Sequence, residues 1–432
     1  MDGSEQRGSK RERYLILGIC LLALMIRLVF SFAIFPHLAG PLDLGRAPDN
    51  YDHLAINWVE GRGFTYSVGL EHTTWKGPGY PLLLAAIYTI FGNLVPAAVV
   101  VQCLIGSLLC LVMYLLAKQV FDTRLGIAVA LIAAFHPLLI WYSPRLRYEP
   151  LLALLLVYAI YWMQRAQDSG KLKYAFFMGL LIGYAALVNQ VAILLPPVLF
   201  LGLLLLKSDM NALVKQFAVV MLTVVAIIIP WTVRNYQVSG LIIPIHSGGV
   251  TMFMKGNYEF EHFREAPMQT QVIDHMGNAY VAQLLGKDPA LLDLRETGLD
   301  QALMPHFLSF LRTEPWKLLT KIMSQLPRFW YLSESPLKSR VFASIQLAFL
   351  LPALVGAVQL LRTRRSRLLL AMLLPIAYFN LVYAATHVEA RYSTPIVPFV
   401  IILGAVGLQN LFSLVRNGHS RRERKGFDFS LS

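Results

Sequence analysis

The first outer stretch of the chain, residues 36–75, carries Asp49 and Asp52, three positions apart in Pro48-Asp49-Asn50-Tyr51-Asp52-His53. A carboxylate at the start of a short helix can take a proton from an incoming hydroxyl or amine, which is general-base work. The plainer alternative is that one carboxylate caps the helix and the other is solvated. Tyr51, His53, Trp58, Arg62 and Tyr66 cluster beside the pair, as recognition of a sugar or phosphate requires. Lys76 stands before Gly-Pro-Gly-Tyr-Pro, a rigid turn at a membrane face that suits a lysine holding a lipid-linked phosphate. A snorkelling interfacial lysine is its structural alternative.

Three further groups of charge sit where hydrophobic blocks end: Arg145, Arg147 and Glu149 in one short turn, Arg234 in Pro-Trp-Thr-Val-Arg-Asn, and His387, Glu389, Arg391 and Tyr392 in another. Charges packed between spans pair and face the interior, so a Glu389–Arg391 ion pair is expected, with ligand contact by Arg391 the sharper alternative. The segments His246-Ser247-Gly248-Gly249 and Lys255-Gly256-Asn257 read as polar turns whose N–H groups could wrap a phosphate. Arg27, within the first hydrophobic block, is expected to be paired inside the bundle.

What is missing narrows the chemistry. There is no G-x-x-x-x-G-K-S/T loop for an ATP-driven pump and no H-E-x-x-H for a zinc protease. There is no D-x-D pair of the kind that holds a metal and a nucleotide-sugar diphosphate, and no acidic residue at mid-span to couple transport to protons. Glu71, His72, His246 and His262 fall in outer loops without convincing ligand spacing, so no cofactor is assigned and a divalent metal stays open.

These residues must be positioned by a membrane protein. The 432 residues are 56% hydrophobic and 15% charged, with mean hydropathy +0.55. Ten blocks approach the ~20 residues a helix needs to cross a bilayer: 14–35, 96–117, 125–142, 149–164, 174–188, 190–206, 216–233, 342–361, 368–385 and 393–415. With the N-terminus inside, the net charge of +13 is concentrated in the two tails and the short cytoplasmic loops, as the positive-inside rule demands, and no nucleic-acid surface is implied. Cys20, Cys103 and Cys110 lie within spans, so no disulfide framework is expected in the outer loops. The expected organisation is a basic cytoplasmic tail (1–13), a first transmembrane module (14–233) containing the outer loop 36–95, a large outer loop (234–341), a second set of spans (342–415) and a second basic cytoplasmic tail (416–432). The first span reads as retained rather than cleaved. Residues 50–60 predict a short helix on the membrane, 78–92 a second one or a shallow re-entrant segment, and 313–332 an amphipathic helix with Thr313 as N-cap. The fold class is all-α, a polytopic bundle of about ten spans with interfacial helices in its outer loops.

In PDNYDHLAINWVEGRGF followed by KGPGYPLLLAAIYTIFG, in RYEPLLALLL, PWTVRNYQVSGLIIP, PRFWYLSES and HVEARYSTPIVPFV, the chain resembles the GT-C membrane glycosyltransferases of the protein O-mannosyltransferase and lipid A aminoarabinose transferase (ArnT-like) type. The resemblance covers most of the chain. It implies a polyprenyl-phosphate sugar donor, a lipid, glycan or protein acceptor, and inverting transfer on the periplasmic side of a bacterial inner membrane. It also implies Asp49 as the base, with Asp52 the competing carboxylate, and Lys76 on the donor phosphate with Arg234 and Arg391 as further phosphate partners. Glu149 matches an acidic position of open role, and Tyr51, Arg62, Arg147 and Tyr392 join it as expected substrate contacts. The chain departs from these relatives in spacing its acids as Asp49-x-x-Asp52 rather than as an Asp-Glu doublet. It also has Asn189 where they often carry arginine, and no large C-terminal soluble domain, which leaves acceptor binding to the outer loops. Outside this family, a lipid-linked glycan flippase or a non-catalytic subunit of an envelope-polymer complex are the competing readings.

Overall fold

A computed structural model describes residues 3–39, 50–66, 72–206, 209–262, 270–290, 292–293 and 298–427. Its helices, in chain order, are α1 (Gly3–Val29), α2 (Phe35–Ala39), α3 (Tyr51–Val59), α4 (Gly79–Phe91), α5 (Val95–Val120), α6 (Thr123–Phe135), α7 (Pro137–Trp141), α8 (Glu149–Ser169), α9 (Leu172–Val188), α10 (Leu195–Leu204), α11 (Met210–Ser239), α12 (Gly249–His262), α13 (Thr270–Leu284), α14 (Leu299–Thr313), α15 (Pro315–Arg328), α16 (Pro336–Arg362), α17 (Ser366–Ala385) and α18 (Val397–Phe427). No strand occurs among the described residues.

Each of the ten expected spans falls on helix. Among the described residues six stretches are long and apolar enough to cross a membrane: Lys10–Leu38, Val95–Val120, Met210–Ser239, Pro336–Arg362, Ser366–Ala385 and Ala390–Ser413. The others are shorter, broken or, in α8, less apolar. At 1.5 Å per residue α9 is about 26 Å long, and the expected span 125–142 divides into α6 and α7 at His136-Pro137.

That break explains Arg27. Pro137 has no N–H to give the carbonyl of Ala133, and the end of α6 is left with acceptors to satisfy. Arg27 is fully buried and supplies the donors, Nη2 to Ala133 O at 3.2 Å and Nη1 to Ala134 O at 3.3 Å, with Ala23 O at 3.1 Å. The partners within the bundle are therefore helix-end carbonyls, whose dipole favours a cation.

Helices α3, α4 and α12 to α15 are shorter and fall between the longer helices along the chain. Helices α3 and α4 form where 50–60 and 78–92 predict them. Gly256 and its neighbours lie inside α12 rather than in a turn. Helix α15 begins after Glu314 with Pro315 in its first turn, while Thr313 ends α14, so the N-cap is one residue later than expected. In α15 the polar side chains Lys321 and Gln325 are buried, whereas Trp316, Leu319 and Met323 are exposed. Lys317 and Thr320 are exposed beside them, but burying Lys321 and Gln325 while exposing Trp316, Leu319 and Met323 is the reverse of a helix packed on a water-soluble core.

Candidate active site

Lys76 is fixed by a stack of polar contacts that begins at the end of α11. Asn235 Nδ2 donates to the carbonyls of Ile243 (3.0 Å) and Ile245 (2.9 Å), and Trp231 Nε1 donates to Ile245 O at 2.8 Å. The segment so held pairs with the first outer segment, Ser247 N donating to Thr74 O at 2.8 Å with the two hydroxyls 3.1 Å apart. Arg234 Nη1 donates to Thr73 O at 2.8 Å while its guanidinium lies over Trp231 (4.7 Å) and Phe64 (5.4 Å). Just beyond Lys76, a Cβ on Gly77 would lie 2.4 Å from Leu187 O, and one on Gly79 2.5 Å from Val188 N. The two glycines let the turn press against the end of α9. Lys76 leaves it with Nζ 5.2 Å from the centre of the Tyr51 ring.

Lys76 and Tyr51 open onto a cavity of about 410 Å³ that is also lined by Tyr148, Gln190, Lys255, His387, Glu389, Arg391 and Tyr392. Tyr392 stacks on Tyr383 at 4.4 Å and 5°, and Tyr383 OH accepts from Asn189 Nδ2 at 2.9 Å, so Asn189 supports the aromatic wall. Arg391 pairs with Glu389 (Nε to Oε2, 2.6 Å), His387 bridges Glu389 (3.3 Å) and Glu259 (2.9 Å), and Lys255 lies 3.9 Å from Glu259. Burial works against charge on His387, but its bonds to Glu259 and Glu389 overcome that and raise its pKa to about 9. Burial likewise raises Glu389, yet Arg391 and His387 carry it down to about 2. The wall is thus a charged chain with more cations than anions. His246, on the opposite segment, is lowered to about 4 by burial, so at neutral pH its uncharged ring donates from Nδ1 to Ser247 O at 2.8 Å.

The cavity gathers Tyr51, Lys76, Arg391 and Tyr392 from the residues expected to act. Arg234 stands behind it, and Arg62 is taken up by Glu60 and by Asn57 Oδ1 at 3.0 Å. Glu149 is fully buried at the start of α8, and Arg147 lines a smaller neighbouring pocket with Glu389 and Arg391. Asp52 sits in the first turn of α3, 8% exposed, outside the cavity lining. Among the described residues its Oδ1 has no hydrogen-bond partner. Asp49 lies outside the described residues.

Two features were not anticipated. The amides at the start of α12, which sequence offers as polar turns able to wrap a phosphate, are occupied by the chain's own carboxylate: Asp300 accepts from Gly248 N (2.8 Å), Gly249 N (2.9 Å), Thr251 N (2.9 Å) and Thr251 Oγ1 (2.8 Å). Lys321, 2% exposed, reaches from α15 to Asn257 Oδ1 (2.7 Å) and Thr386 O (2.8 Å) and ties α12 to the turn bearing His387 and Arg391. Burial brings its pKa down to about 7, against the pull of Glu259 and Glu261. Among the described residues no three His, Cys, Asp or Glu side chains gather at metal-ligand distances.

This architecture, a helical bundle with a polar cavity bordered by its shorter helices, shares its fold with the oligosaccharyltransferase of Archaeoglobus fulgidus. Residues 75–233 match the family model described as dolichyl-phosphate-mannose-protein mannosyltransferase. The structure is similar to the oligosaccharyltransferase of Archaeoglobus fulgidus in its apo form (16% identity, TM-score 0.61). It is also similar to AglB of the same organism in complex with an inhibitory peptide and a dolichol-phosphate (16% identity, TM-score 0.60). Each comparison covers 95% of this chain and 52% of the archaeal one, so the chain spans about half the length of these relatives. ArnT of Cupriavidus metallidurans in the apo state matches at 15% identity and TM-score 0.45, over 93% of this chain and 78% of that one. No curated protein matches the sequence.

Proposed function

We propose that the chain is a glycosyltransferase that moves a sugar from a polyprenyl-phosphate carrier to an envelope acceptor (lipid, glycan or protein) on the outer face of a bacterial inner membrane. The observation that carries this is the convergence of Lys76 and Arg391, from segments far apart in sequence, on one tyrosine-walled cavity. Support comes from the mannosyltransferase family match over 75–233 and from the fold shared with an oligosaccharyltransferase that holds a dolichol-phosphate.

In this reading the donor phosphate lies between Lys76 and Arg391, with Tyr51 and Tyr392 against the sugar. The acceptor oxygen attacks the anomeric carbon from the face opposite the phosphate, and a carboxylate of the Asp49–Asp52 segment takes its proton. The C–O bond to phosphate breaks, and the lipid phosphate leaves with its charge stabilised by the two cations, without an acid. One displacement inverts the configuration. We assign the base to Asp49, and to Arg234 the task of holding the 73–76 segment.

The test is reconstitution of the purified protein in liposomes with radiolabelled polyprenyl-phosphate sugars and mixed envelope acceptors. Label moving to acceptor with inverted configuration is expected. No transfer from any donor, together with translocation of the lipid, would instead make the protein a flippase.

A further inference from the structure

Gln102 stands near the start of α5, a helix apolar enough to cross a membrane, and is only 4% exposed. A side-chain amide buried there is costly unless its polar atoms are paired. Both are. Nε2 donates to the carbonyls of Tyr142 (2.9 Å) and Ser143 (3.1 Å) and to that of Arg145, and Oε1 accepts from Tyr80 OH at 2.6 Å. The three carbonyls belong to the turn after α7, where the helical partners have run out and Pro144 has no N–H to offer. Carbonyls only accept, so the amide must face them with its nitrogen; this puts Oε1 on Tyr80 and makes Tyr80 the donor.

Both branches end on Tyr51. The buried Tyr80 ring meets Tyr51 edge-on at 5.3 Å and 80°. Tyr148, which follows the turn that Gln102 holds, meets it edge-on at 6.1 Å and 90°. Tyr51 is also the ring over which Lys76 Nζ lies, 5.2 Å from its centre. Tyr51, Lys76 and Tyr148 line the cavity, and Gln102 does not.

We infer that Gln102 is a positioning residue for the donor phosphate. One amide sets the two tyrosine edges that hold Tyr51, and the Tyr51 ring sets where the Lys76 ammonium stands. The inference rests on the reading that Lys76 receives the donor phosphate. It adds that the grip of Lys76 depends on an amide in α5 outside the cavity.

The experiment is a calorimetric titration of the whole protein in maltoside micelles with dodecyl phosphate, for wild type, Gln102→Met, Lys76→Gln and the double variant. Melting temperatures taken alongside ensure that each titration is made on folded protein. Gln102→Met keeps the side chain's length and removes its donor and acceptor, and is expected to weaken binding by about tenfold. In the Lys76→Gln background the same substitution should cost less than about twofold, because the group it acts through is already gone. Tyr80→Phe removes one hydroxyl and keeps the ring against Tyr51; it should weaken binding by about threefold and carries the test if Gln102→Met folds poorly. A role in stability alone would lower the melting temperature and leave affinity unchanged in both Gln102→Met and Tyr80→Phe. A general distortion would weaken binding equally with and without Lys76. Either result, with Lys76→Gln itself weakened, overturns the inference and leaves the donor reading standing. Wild-type affinity in Lys76→Gln would instead contradict the donor reading, and the inference with it.

Discussion

His387 and Lys321, a few ångströms of network apart, pull stability in opposite directions as pH changes. His387 has its pKa raised from the usual 6.5 to about 9, so its contribution is complete below pH 6.5 and is lost as pH rises through 9. Lys321 has its pKa lowered from 10.5 to about 7, so the cost of burying its charge is absent above pH 10.5 and grows as pH falls towards 7. Between pH 7 and 9 the two slopes oppose each other. Thermal unfolding followed over that range should show a melting temperature that rises with pH in His387→Gln and falls with pH in Lys321→Met; parallel profiles in the two variants would refute the assignment. For the ligand, Lys76→Gln and Arg391→Gln should each weaken polyprenyl-phosphate binding by about ten- to a hundredfold, on the order of 1.5–3 kcal/mol for a charge-assisted bond. Arg234→Gln should act on turnover more than on affinity, because it touches Thr73 and not the cavity. Lys76 and Arg391 were readable as candidates because each is a cation in a rigid polar turn beside a span. Lys321 was not, because a lysine among apolar residues in an outer helix reads as solvent-exposed unless the helix is known to face lipid.

At the scale of elements, close approach sets what the turns and helices can carry. A Cβ at Gly256 would stand 2.0 Å from Thr386 O, a backbone atom that cannot swing aside. Gly256→Ala should therefore push α12 off the His387 turn and destabilise the protein by roughly 1–3 kcal/mol, the usual range for overpacking, measurable as a lowered melting temperature. The polar-in arrangement of α15 makes a second prediction. A nitroxide on Met323→Cys, in a background without other cysteines, should be more accessible to oxygen than to a water-soluble nickel chelate; the reverse would place that face in solvent. The helices themselves were foreseeable from periodicity and Pro placement. The cap that Asp300 makes on α12 was not, since it joins residues about fifty positions apart and no local pattern announces it.

For the molecule as a whole, hydropathy was enough to place ten helical blocks, and the fold bears them out, with α6 and α7 broken at a proline and Arg27 satisfying the break. Which charges share one cavity depended on how α9, α11 and the α17–α18 turn pack, and that is tertiary information. We propose that an acidic residue of the segment before α4 drives glycosyl transfer from a lipid phosphate held at Lys76 and Arg391. It is tested most directly by the transfer rate of reconstituted Asp49→Asn and Asp52→Asn beside wild type at saturating donor. Asp49→Asn is expected to bind the donor normally but to lose transfer by at least about a hundredfold, the lower range for general-base catalysis, with Asp52→Asn retaining more. Full transfer by Asp49→Asn would contradict it.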